Sequence, residues 1–203
     1  MAAGVFGLMY AIANWGENAA VDSEIIEGPT WQIEKGNYTN TQFLFRLKKP
    51  SPEWQFELTK EQMLGNSYFP NVFWKMLYHP VVELQIPQED EIRAAITVGI
   101  FPNRNIYNSL QLAESIVETF QDKYWADSTF AVLKKPTQTS KDDIKGSYTV
   151  IKLPERENQV QVFVFVPHKK RVFVISAISD IKGYDYYNED IKSAIESFWF
   201  VLK

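Results

Sequence analysis

Apolar and polar positions along the chain change period several times, and each change predicts an element. Residues 41–48 (TQFLFRLK) alternate, with Phe43, Phe45 and Leu47 on one side, which predicts a strand running into the proline-bounded turn at 50–54. Thr59 and Gln62 stand at N-cap and capping-box spacing ahead of Gly65, predicting a brief helix. The apolar and aromatic runs 72–78 and 81–86 are bounded by Pro70, Pro80 and Pro87 and read as short strands or extended loop. Residues 92–101 (IRAAITVGIF) form a better strand, ended by Pro102-Asn103. Leu110, Ala113, Val117, Phe120 and Tyr124 then recur at spacings of 3, 4, 3 and 4, so residues 108–125 predict an amphipathic helix with Asn108 and Gln111 at its N-terminal cap.

The second half is richer in strand signals. A short strand at 130–133 precedes a polar loop over 134–145, and three strand-like runs follow at 148–153, 159–166 and 171–179. The last two, joined by Pro167-His168-Lys169-Lys170, have apolar residues at both parities, so both of their faces must be covered. Ile191, Ala194, Ile195 and Phe198 predict a final helix near 188–197. Two-faced strands with amphipathic helices predict an α+β chain: a central antiparallel sheet covered by helices on both faces, an α/β/α sandwich, with an N-terminal apolar helix added. The division expected is an apolar helix over 1–16, an acidic spacer over 17–28, and one domain over 29–203 with an aromatic insert at 57–87.

Composition removes several function classes. The 203 residues are 45% hydrophobic and 15% aromatic, enough for one full-sized core. A net charge of -4, from 25 acids and 21 bases without a basic block, argues against nucleic acid as a partner. The absence of cysteine excludes disulfides, thiolate catalysis and cysteine-ligated zinc, and two histidines leave little for a His-based metal site. No cofactor, metal ligand or catalytic residue is expected from these counts.

Residues 1–16 (MAAGVFGLMYAIANWG) contain no charge. At ~1.5 Å per residue the first fifteen would reach about 22 Å as a helix, short of the ~20 residues that cross a bilayer. A small-x-small pattern at Ala11-Ile12-Ala13 suits signal cleavage, but no basic region precedes it. Val5, Leu8, Met9 and Ile12 also suit one face of a helix packed on the domain's own core. The sheet and helices can be built from about residue 29 onward, so the expectation here is a tether to a membrane or a complex, using Val5, Phe6, Leu8, Met9, Tyr10, Ile12 and Trp15.

Candidate chemistry is sparse. Glu89-Asp90-Glu91 and Asp142-Asp143 read as solvated turns, since neither has the ligand spacing of a known cation loop. His79 lies between Tyr78 and Pro80 and reads as packed or solvent-facing, and Asn37-Tyr38-Thr39 matches a glycosylation sequon that has meaning only in a eukaryotic secretory protein. Surfaces for partners are better represented. Trp54, Tyr68, Phe69, Phe73 and Trp74 gather large rings near prolines, suited either to a partner or to a second hydrophobic layer under the sheet, and His168, Lys169, Lys170 and Arg171 form a basic turn that is either simply solvated or suited to an anionic headgroup or an acidic patch. Tyr184, Tyr186 and Tyr187 form a second aromatic group ahead of the last helix.

Several segments together resemble the PsbP-like group of α/β/α sandwich domains, which also includes the small Ran-binding nuclear-import factor. They are residues 38–56 (YTNTQFLFRLKKPSPEWQF), 108–120 (NSLQLAESIVETF), Gly146-Ser147-Tyr148, 171–179 (RVFVISAIS) and Ile195-Glu196-Ser197-Phe198. The aromatic stretch 57–87 departs from the pattern. The resemblance implies a non-enzymatic accessory or assembly subunit that docks onto a larger membrane protein complex on its non-cytoplasmic side, periplasmic, lumenal or extracellular. Photosystem-associated relatives help retain inorganic cofactors or assist assembly through an N-terminal region this sequence does not match, so none of their functional residues is carried over. The other expectation is a soluble small-molecule-binding or hydrolytic domain with a pocket at the aromatic insert and Asp90 or Glu91 as its polar equipment.

Overall fold

The computed structural model describes residues 30–63, 78–88, 91–102, 108–141, 144–154 and 159–201. The expected N-terminal helix, the acidic spacer and its tether residues lie outside these, as do Gly65, Tyr68, Phe69, Phe73, Trp74, Glu89, Asp90, Asp142 and Asp143. In chain order the elements are β1 (Trp31–Glu34), β2 (Asn37–Asn40), β3 (Phe45–Lys48), β4 (Gln55–Glu57), a 3-10 turn (Lys60–Gln62), β5 (His79–Gln88), β6 (Glu91–Pro102), α1 (Ser109–Lys123), β7 (Ala131–Lys141), β8 (Ile144–Lys152), β9 (Val160–His168), β10 (Arg171–Ser179), α2 (Ile181–Ser197) and β11 (Trp199–Phe200).

The strands form two antiparallel sheets rather than one. The larger runs β4-β5-β6-β10-β9-β8-β7 and the smaller β1-β2-β3-β11. Strands β9 and β10 lie at the middle of the larger sheet and are buried almost end to end on both faces, as their two-sided apolar pattern requires. One face packs Phe163, Phe165, Val172 and Val174 against Leu112, Ala113, Ile116 and Phe120 of α1. The opposite face packs Val82, Leu84, Ile96, Val98, Phe173 and Ile175 against two covers at once. These are Tyr187, Ile191 and Ala194 of α2, and Tyr38, Phe45 and Leu47 of the small sheet. The expectation of helices alone on both faces is therefore corrected: a second sheet shares one face with a helix, because alternating buried residues on β2 and β3 give that sheet an apolar side.

Local chemistry accounts for the element ends. Asn108 caps α1 by accepting from Gln111 N at 2.9 Å, while Gln111 accepts from Asn108 N, the reciprocal box expected from the sequence. Strand β3 begins four residues later than predicted: Asn40 Oδ1 accepts from Phe43 N at 2.7 Å and Leu44 takes φ 57°, closing a turn. The predicted helix at Thr59 is a 3-10 turn without a side-chain cap. Helix α2 starts seven residues before its predicted start because Asp180 caps it through Gly183 N, so the tyrosines Tyr184, Tyr186 and Tyr187 lie on the helix.

Strands β5 and β7 contain prolines. Pro80 and Pro87 were expected to bound a strand, yet β5 runs through both, with register shifts at each. Strand β4 pairs only with Glu83, Leu84 and Gln85, so a missing N–H at either proline interrupts no ladder on that side. The polar loop expected over 134–145 is instead mostly strand β7, the far edge of the larger sheet. Two register shifts, Pro136, Lys134 and Lys135 make that edge a poor template for another strand.

Trp54 has no exposed surface. Its Nε1–H donates to Asp190 Oδ2 at 2.8 Å, and its ring meets Tyr187 edge-on at 6.0 Å, fastening the turn before β4 to α2. Of the two readings of Trp54, the partner-facing one is thereby corrected and the packed one holds: the indole is a core side chain whose one polar atom has found an acceptor.

Gly99 tests the fit of the sheet. A Cβ there would lie 2.1 Å from Tyr78 Cε2, because the Tyr78 ring lies directly against the strand. Gly99→Ala is expected to destabilise the fold by about 1–3 kcal/mol in denaturant unfolding. The loss should be smaller in a Tyr78→Ala background than in the wild type, the non-additivity that a shared contact produces.

Candidate functional site

Strands β9 and β10 join through Lys169 and Lys170, with His168 directly opposite Arg171, so the basic turn read from the sequence is the tip of the central hairpin. It is shorter than expected, since Pro167 and His168 belong to β9. Lys169 holds φ 54°, a left-handed conformation that a two-residue connection demands of one of its residues. The flanking side chains are packed. The His168 ring stacks on Phe200 with centroids 3.9 Å apart and planes at 16°, and the Arg171 guanidinium lies 5.2 Å from the centre of the Phe43 ring. Lys169 and Lys170 remain exposed. The tip is thus two solvated ammonium groups on a hairpin clamped at both strand ends by aromatic rings of the small sheet and its turn.

Electrostatics at the tip follow from that packing. Burial against Phe200 pushes the His168 pKa below the usual imidazole value, and the neighbouring Lys169 lowers it further. His79, at the start of β5, is lowered in the same way, first by burial and then by Lys60, whose Nζ lies 3.1 Å from His79 Nδ1.

Sequence reasoning missed a second polar group. Helix α1 lies over β7, β8 and β9, and on the same face of the sheet β5, β6 and β10 line up Glu83, Thr97 and Ser176 in one cross-strand row. All three are buried. Glu83 has no exposed surface; it accepts from Thr97 Oγ1 and from Gln85 Nε2 at 2.7 Å, and Gln85 Nε2 also reaches Gln62 O at 3.0 Å. Tyr78 stands beside this row. Burial raises its phenol far above the usual value, the nearby Glu83 carboxylate raises it further, and a hydrogen bond with Ser176 partly offsets both. The signal was present as alternation: Glu83 and Gln85 interleave with Val82, Leu84 and Ile86. A carboxylate satisfied in this way orders β5 against β6 and the 3-10 turn, and no third acid, histidine or cysteine gathers with it to hold a metal among the described residues.

No protein-family model matches the sequence, and no curated protein matches it. Solved structures do match in shape. The cyanobacterial PsbP (CyanoP) of Synechocystis sp. PCC 6803 aligns over 86% of this chain and 95% of its own, with a TM-score of 0.56 and 10% identity. LpqN of Mycobacterium tuberculosis, involved in cell envelope biogenesis, aligns over 78% of this chain and 83% of its own, with a TM-score of 0.51 and 9% identity. The fold is PsbP-like.

Within this PsbP-like fold the residues singled out for partner binding separate into three sets. His168, Lys169, Lys170 and Arg171 come together at one tip, Trp54 enters the core, and Tyr68, Phe69, Phe73 and Trp74 lie outside the described residues. Tyr186 is exposed while Tyr187 is buried, so the second aromatic group is split by the helix period. Among the described residues no helix is long and apolar enough to cross a membrane.

Both histidines bind protons less readily in the fold than in the unfolded chain. Between their lowered values and the ordinary value near 6.5, the unfolded chain takes up more protons, so stability falls as pH drops through that window. In an NMR titration His168 is expected to titrate below 6.5, and Lys169→Ala is expected to move its midpoint upward.

Proposed function

We propose that this chain is a non-catalytic accessory domain, extrinsic to a larger membrane-associated assembly on its non-cytoplasmic side, and that it docks through the tip of the central hairpin. The observation that carries this reading is the mounting of Lys169 and Lys170. Both are exposed, while His168 on Phe200 and Arg171 on Phe43 hold the strand ends that present them. A charged loop on a rigid scaffold loses little conformational freedom when it meets an acidic patch, and its charges accelerate encounter. The shared fold with cyanobacterial PsbP, and with an LpqN involved in cell envelope biogenesis, supports an accessory role outside the cytoplasm. Residues 1–16 supply the tether that keeps the tip near its target.

In detergent-solubilised membranes of the native cell, the full chain is expected to co-migrate with a high-molecular-weight assembly. Lys169→Glu/Lys170→Glu should abolish that co-migration while leaving the thermal midpoint within about 1–2 °C of wild type, as expected for exposed positions. A chain that migrates alone, and instead gains several degrees of thermal midpoint from one small ligand, would overturn the reading.

A further inference from the structure

Of the side chains at the hairpin tip, His168 alone changes charge in the physiological range. It ends β9 directly opposite Arg171 of β10, and Lys169 and Lys170 follow it in the turn. Its imidazole lies nearly flat on Phe200 and stays partly open to solvent, so protons reach it without a change of fold.

The surroundings of the ring hold one sign of charge. Arg171 faces it across the ladder, and Lys169 and Lys170 face it from the turn. Beyond Arg171 the next strand contributes Pro102, and β8 stops pairing with β9 at Phe165, three residues short of the histidine. From the small sheet it meets Phe200, whose partner across the β3–β11 ladder is Phe45. No carboxylate among the described residues offsets these cations at the ring.

That arrangement sets what protonation does. A neutral His168 leaves the tip with the three cations Lys169, Lys170 and Arg171, and a protonated one adds a fourth. The charged ring keeps its seat, because a cation over a phenyl face is attracted by the quadrupole of that ring. What the free protein lacks is an opposite charge nearby, and an acidic surface laid against Lys169 and Lys170 brings one to their immediate neighbour. We propose that docking of the tip onto an acidic surface takes up one proton from solvent at His168, so that the tip holds its partner more tightly as pH falls. The coupling rests on the docking reading above. Linkage makes it reciprocal: whatever free energy the acidic surface adds to protonation of His168, protonation adds to binding.

The test uses the full chain and the peptide acetyl-(cysteic acid)4-amide, whose sulfonates stay ionised throughout, so that the probe itself does not titrate. The His168 ring protons are followed by NMR between about pH 8 and about pH 5, with and without saturating peptide, in about 0.1 M salt. Peptide is expected to raise the His168 midpoint by about 0.5–1 on the pH scale, the effect of one opposite charge at ~6 Å in a water-like to partly screened medium. His79, three strands away in β5, should keep its midpoint, since charges more than about 10 Å apart are screened at that salt. Peptide affinity should rise about threefold to tenfold from the alkaline to the acid end. His168→Phe keeps a ring on Phe200 and cannot take a proton, and its affinities at the two ends should be equal. His168→Gln should lose the same ratio, which separates the missing proton from the packing of either replacement.

The proposal is overturned if the peptide does not bind, if saturation leaves the His168 midpoint in place, or if both variants keep the wild-type ratio of affinities. Co-migration that depends on Lys169 and Lys170 while the midpoint stays in place removes the coupling and leaves the docking reading. A chain that migrates alone although the peptide moves the midpoint removes the membrane-associated assembly as partner and leaves the coupling.

Discussion

Burial of both faces of the β9–β10 hairpin is the constraint on which the rest of the structure depends. Val160 to Val166 and Val172 to Ser179 have no solvent side, so each face needs its own apolar cover. Helix α1 supplies one. On the other face α2 and the small sheet divide the area, and Phe173 is where they meet: its ring lies 5.7 Å from Phe45, 5.7 Å from Phe198 and 4.9 Å from Phe200. Aromatic pairs of this kind contribute about 0.5–1.5 kcal/mol each beyond area burial. Strand β3, the end of α2 and strand β11 thus depend on one side chain of the central strand for their mutual placement.

What could be read from the sequence follows the same logic. Arg171–Ser179 is the predicted strand, residue for residue, because an uninterrupted two-faced apolar run has no competing helical interpretation at that length. Helix α1 and its cap were also legible, since periodicity and capping agreed. The misses have local causes. Strand β7 has an exposed, lysine-rich composition because it is an edge, and composition alone gave it the look of a loop. Strand β5 tolerates two prolines because its outer neighbour pairs with only three of its residues. The small sheet was invisible as a separate unit because its strands are two to four residues long, below the length at which alternation is distinctive.

The candidate site was legible in its charges and not in its supports. Four consecutive basic residues marked the hairpin tip, but nothing in the sequence pairs His168 with Phe200 or Arg171 with Phe43, contacts that span 32 and 128 positions. Trp54 shows the converse. Its placement beside prolines gave it the look of a surface anchor, and its acceptor, Asp190, lies 136 residues away. Glu83 was overlooked because one acid in an apolar strand has no motif; only cross-strand register brings Thr97 and Ser176 into its row.

A single short strand, β11, joins the hairpin tip to the small sheet, and that has a mechanical consequence. Phe200 of β11 points inward to hold His168 at the hairpin tip, while its neighbour Trp199 lies directly opposite Arg46 on the outward side of β3. Strand β11 has only two residues, so one cannot shift without the other. Ser197, one residue before Phe198, secures the same segment to β3, and Phe198 itself packs on Phe173 in the core. A displacement of the hairpin tip would therefore be felt at β3, to which β11 and Ser197 are both secured.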